Sequence, residues 1–84
     1  MVTKGYFILA KDREGFTYYY HSDGKFHTIF VSVGGTYFKT WQRKGCAINA
    51  FKSMRTNDKL VSISLMCCEV GKDIRTESTI IEKK

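Results

Sequence analysis

Residues Lys39–Arg55 read KTWQRKGCAINAFKSMR. Ala47, Ala50, Phe51 and Met54 recur there at i, i+3, i+4 and i+7, a spacing that lines four apolar side chains along one face of a helix. Lys39, Arg43, Lys44, Lys52 and Arg55 fall mostly on the other faces, and no acidic residue lies anywhere between Lys39 and Arg55. Thr40 has the hydroxyl of an N-cap. The spacing therefore predicts one basic amphipathic helix over about 41–55, mildly weakened by Gly45 and ended by Thr56-Asn57-Asp58.

The flanking blocks read as strands. Lys4–Lys11 (KGYFILAK) is a compact apolar run, closed by the charged turn Asp12-Arg13-Glu14-Gly15. Phe16–His21 (FTYYYH) is rich in aromatics, which suit a pleated surface. Asp23-Gly24 then gives a strong hairpin signal, and Phe26–Val33 follows as a third strand with Ile29, Val31 and Val33 on one face. Thr36–Lys39 reads as a brief strand or an extended lead-in to the helix. After the helix, Lys59–Val70 (KLVSISLMCCEV) alternates. Val61, Ile63, Leu65 and Cys67 share one face, and Ser62, Ser64, Met66 and Cys68 share the other. A last short strand is expected near Thr79–Ile81, with Lys83-Lys84 as a frayed end.

Tight turns between strands make antiparallel pairs, and a single helix covers one face of a sheet. The expectation is an α+β fold, a mostly antiparallel sheet of four to five strands with one helix packed on one face. The expected core is Phe7, Leu9, Ile29, Val31, Ala47, Ala50, Phe51, Met54, Val61, Ile63 and Leu65. Eighty-four residues make one domain, 1–84.

The net charge of +6, from 14 Lys and Arg against 8 Asp and Glu, draws the chain toward nucleic acid, acidic protein or anionic surfaces. The same charge also serves solubility. Three cysteines, Cys46, Cys67 and Cys68, match no zinc spacing. The vicinal pair sits on a strand, where neighbours point to opposite faces and cannot readily bond each other. They are expected to be buried or half-buried thiols that fill core space. No stretch has the length of a signal-peptide core or a membrane span, so a cytoplasmic protein that does not engage a membrane is expected.

Two surfaces are candidates for binding. Tyr18 and Tyr20 share one strand face and Tyr19 the other, and aromatics beside positive charge can anchor a protein partner or stack bases. The same tyrosines can instead stiffen an antiparallel pair. Arg43, Lys44, Lys52 and Arg55 form a basic helix face that can meet carboxylate, phosphate or solvent. His21, His27 and Asp23 bracket the Asp-Gly turn and read as turn and surface residues before metal ligands or proton carriers. No paired carboxylates, nucleophile motif or phosphate loop is present, so no catalytic residue, cofactor or metal is expected.

Gly5–Lys11, the Asp23-Gly24-Lys25 hairpin and the Thr40–Met54 helix with Ala47 and Ala50 together resemble a class of very small phage and mobile-element proteins. Some of these are counter-defence (anti-CRISPR-like) inhibitors. The resemblance implies a non-enzymatic inhibitor or adaptor that binds a host protein or protein–nucleic-acid complex in the host cytoplasm. Many such inhibitors mimic nucleic acid with an acidic surface, whereas this chain is basic. Direct binding of single- or double-stranded nucleic acid is the alternative, and a homodimer through an open sheet edge is compatible with either.

Overall fold

A computed structural model describes residues 4–29 and 34–84. The fold is α+β. The elements run β1 (Lys4–Asp12), β2 (Thr17–Tyr20), β3 (Phe26–His27), α1 (Lys44–Ser53), β4 (Leu60–Glu69), the single turn α2 (Ile74–Glu77) and β5 (Thr79–Lys83). The strands form one antiparallel sheet in the order β3-β2-β1-β4-β5. The last strand, expected near Thr79–Ile81, is present as β5.

Local chemistry sets the turns. Asp12 accepts the Glu14 and Phe16 N–H groups on Oδ1 at 2.9 and 3.0 Å, and Gly15 supplies the positive φ that reverses the chain into β2. At the next turn Asp23 Oδ1 accepts the Lys25 N–H at 3.0 Å, and Gly24 again takes a positive φ. The Asp-Gly signal is thus realised as a turn that returns the chain onto β2 through Tyr19–His27 and Tyr20–Phe26 pairs.

One face of the sheet carries the core. Ile8 pairs with Leu65 and Ala10 with Ile63 across β1 and β4, and all four are buried under Ala47 and Phe51 of α1. Tyr6, Tyr18, Tyr20, Trp41, Ala50 and Met54 pack around this cluster half-buried. The helix stripe and the Ile63/Leu65 face meet as the spacing requires.

The helix, Lys44–Ser53, is shorter than the expected 41–55. Trp41 both donates to and accepts from the Tyr6 backbone, each at 2.8 Å, so its backbone is committed to an extended bridge with β1. Helix therefore begins at Lys44, and Arg43 rather than Thr40 is its N-cap, without a side-chain hydrogen bond. The segment before it is an extended lead-in, bridged to β2 through His21–Phe38 and to β1 through Tyr6–Trp41.

The other end is held by the Lys84 side chain. Lys84 Nζ donates to the Phe51 carbonyl at 2.7 Å and the Met54 carbonyl at 2.5 Å, with Lys52 at 3.4 Å, and lies 4.8 Å above the Phe51 ring. A cation at the negative helix pole satisfies carbonyls that the helix itself leaves open. The expected frayed end is a helix cap.

Several expected core positions lie elsewhere. Val61 is 43% exposed because the β1–β4 register slips between Lys11 and Asp12. Lys11 faces Ser62 and Asp12 faces Leu60, which leaves Val61 bulged out and seats Leu60 against the core instead. Ile29 is 46% exposed, and the third strand ends at His27. Leu9 alternates onto the opposite face and is half-buried. Val31 and Val33 lie outside the described residues. Phe7 is buried as expected, but on the face away from α1, beneath Phe38 at 5.3 Å between rings. Cys67 and Cys68 are buried free thiols as expected, whereas Cys46, in the first turn of α1 and off the Ala47/Phe51 stripe, is exposed and fills no core space.

Candidate functional site

The three consecutive tyrosines split between two environments. Tyr18 pairs with Ala10 and Tyr20 follows it on the helix-covered face, while Tyr19 pairs with Leu9 on the other. Tyr20 stacks on Trp41 at 5.9 Å and 20°, with Phe26 edge-on at 5.4 Å and Lys39 above the Trp41 ring at 5.6 Å. The Tyr18 hydroxyl donates to Asp12 Oδ2 at 3.1 Å. That hydrogen bond to a carboxylate holds the Tyr18 phenol above its ordinary pKa. Desolvation pushes the Asp12 carboxyl up, but the Phe16 N–H, the Tyr18 hydroxyl and the Glu14 and Gly15 N–H groups outweigh it and hold the group below its usual range. Tyr18 and Tyr20 are therefore half-buried packing residues, and Tyr19 is the tyrosine of the three that faces away from the helix.

Arg43, Lys44, Lys52 and Arg55 are all exposed, two at the start of α1 and two at its end. They belong to the helix layer, across the sheet from Tyr19. The basic set and the outward tyrosine do not share a surface.

His21, His27 and Asp23 do come together. The histidine rings lie 4.4 Å apart between centroids, and His27 Nε2 meets Asp23 Oδ2 at 2.9 Å. Against the expectation of a surface residue, His21 is fully buried, and its Nε2–H donates to the Ile29 carbonyl at 2.8 Å. A carbonyl only accepts, so the proton of a neutral His21 sits on Nε2, leaving Nδ1 without a hydrogen-bond partner among the described residues. Desolvation raises the Asp23 carboxyl, but the His27 hydrogen bond, the Lys25 N–H and the charges of His27 and Lys25 bring it below its ordinary value. The cluster latches the β2–β3 turn to the 36–38 segment, where Thr36 Oγ1 also meets Ser22 Oγ at 3.1 Å. Among the described residues no group of three His, Cys, Asp or Glu side chains is placed to hold a metal ion.

The face away from α1 carries a feature the sequence reading did not single out. Tyr19, Leu9, Ser64 and Lys83 stand side by side across β2, β1, β4 and β5, with Lys11 and Ser62 in the row below and Met66 and Ile80 in the row above. Two small serines in the middle of β4, ringed by larger side chains, leave a groove of about 300 Å³. Ile74 and Ser78 also line it. Lys11 and Lys83 are among its lining residues, and no acidic residue is. The alternation of Ser62 and Ser64 marks a face off the core, but register alone brings Lys11 and Lys83 to it.

No family model, no curated protein and no solved structure matches this chain. Among the described residues no helix is long and apolar enough to cross a membrane.

Proposed function

We propose that this chain is a small non-enzymatic binding protein, an inhibitor or adaptor, that recognises another protein through the sheet face its helix leaves uncovered. The observation that carries this reading is the groove over Ser62 and Ser64, with its apolar walls and two lysines. Ligand sites are concave, mostly apolar and sparingly polar, and this groove has that make-up. The resemblance to phage and mobile-element inhibitors supports a host protein complex as the target, met in the host cytoplasm.

The test is capture from host lysate by the wild-type chain, by Ser64→Trp, which fills the groove, and by a variant with Arg43, Lys44, Lys52 and Arg55 all changed to Glu. A protein retained by the wild type and the helix variant but lost with Ser64→Trp is the expected result. Failure to retain any protein across several salt concentrations overturns the reading.

Direct nucleic-acid binding is the second reading, and the four exposed cations of the helix layer favour it. Its affinity would fall with salt at a log–log slope of about −0.7 to −0.9 per phosphate contacted. The helix variant would lose it.

A further inference from the structure

The two lysines of the groove are held at a defined separation. Lys11 stands on β1 opposite Ser62, and Lys83 stands on β5 opposite Ser64, so they straddle β4 one step apart in register. Two strand spacings of ~4.8 Å and two residues of ~3.4 Å rise put their Cα atoms about 12 Å apart. In an extended peptide, side chains four residues apart lie on the same side at about 13 Å. The side chain midway between them would fall over Ser62 and Ser64, with Leu9, Met66 and Ile80 around it.

We infer that the groove takes an extended acidic segment of a partner protein, with one apolar side chain seated over the two serines and a carboxylate two residues to either side, on Lys11 and Lys83. The inference rests on the binding-protein reading and names the chemistry of its partner. Charge complementarity carries it, because the lining holds two cations and no carboxylate. Nucleic acid fits the face less well, since a strand is held by successive stacked bases and Tyr19 is the single aromatic among the described lining residues, with Tyr18 and Tyr20 engaged on the helix side. A second copy of the chain would bring +6 against +6.

The probe is a fluorescein-labelled nonapeptide with leucine at its centre, glutamate two residues to either side, and serine and glycine elsewhere. Binding is read by anisotropy and located by amide shift changes in the full chain. The expected result is shifts at Leu9, Tyr19, Ser64 and Met66, with affinity lower by about tenfold or more when glutamine replaces both glutamates. Lys11→Glu with Lys83→Glu should cause the same loss and transfer binding to a peptide carrying lysines in place of the glutamates. That rescue shows that a loss is not a folding defect. Equal binding of the glutamine peptide, shifts confined to the helix layer, or tighter binding of a short oligothymidine at the same residues overturns the inference. Concentration-dependent dimerisation that blocks the peptide site overturns it in favour of a second copy. If the lysate protein is still lost with Ser64→Trp while the acidic peptide fails, the acidic-segment inference falls and the binding-protein reading stands.

Discussion

On β1, Ile8 and Ala10 are sealed beneath α1, while Leu9 and Lys11, their immediate neighbours, line an open groove. The same contrast runs along β4, where Ile63 and Leu65 are fully buried and Ser62 and Ser64 floor the groove. Strand alternation gives each face its own set of residues, and the described residues form one helix longer than a single turn. That helix goes to the aliphatic face. The opposite face is covered at one end by Phe38 over Phe7. The contrast teaches that a sealed core and an open groove can share a strand residue by residue, because in regular strand neighbouring side chains point to opposite sides.

The sharpest way to break this comparison is to damage the covered face. Phe51→Ala should cost about 3–5 kcal/mol in chemical denaturation, a large share of the ~5–15 kcal/mol that holds an ordinary domain together. A loss below about 1 kcal/mol would mean that α1 does not press Phe51 into the Ile8/Leu65 cluster.

A smaller effect should come from the anchor of the covering layer. Lys84→Ala removes the donor to the Phe51 and Met54 carbonyls and should cost about 1 kcal/mol. Hydrogen exchange should rise in the last turn of α1 and stay unchanged in β2. Unchanged protection at Phe51–Met54 would show that the helix end needs no cap.

The smallest effect belongs to the turns, which serve both faces alike. Asp12 and Asp23 both sit below their ordinary pKa when folded. The unfolded chain therefore binds protons more readily, and the carboxylates' contribution is fully present above the unfolded value of about 3.9 and is lost as pH falls through the lower folded values. Thermal midpoints should drop below about pH 4, and Asp12→Asn with Asp23→Asn should flatten that drop. An identical acid profile in the double variant would remove the turns from the account.

Much of the architecture was legible in the residues because it rests on short-range periodicity. The Ala47/Phe51 stripe, the Ile63/Leu65 alternation and the Asp-Gly turn each appear within a few positions of one another, and the α+β class follows from them. The division of Tyr18 and Tyr20 from Tyr19 was legible for the same reason. Helix length was less so, since the apolar stripe begins only at Ala47 and the expected start at Trp41 rested on Thr40 as a cap, which says nothing of the Tyr6 backbone that claims Trp41.

What the tertiary structure decided are relations between distant positions. Val61 has the right parity for the core, yet a slip opposite Lys11 and Asp12 turns it outward. Lys84 is an unremarkable last residue until β5 carries it to the end of α1. Lys11, Ser64 and Lys83 are far apart in the chain and meet because β1, β4 and β5 are neighbours in register. Periodicity is a property of one segment, and the amino-acid order encodes it directly. Register and edge are properties of pairs of segments, set by which backbone groups find partners once the sheet has closed.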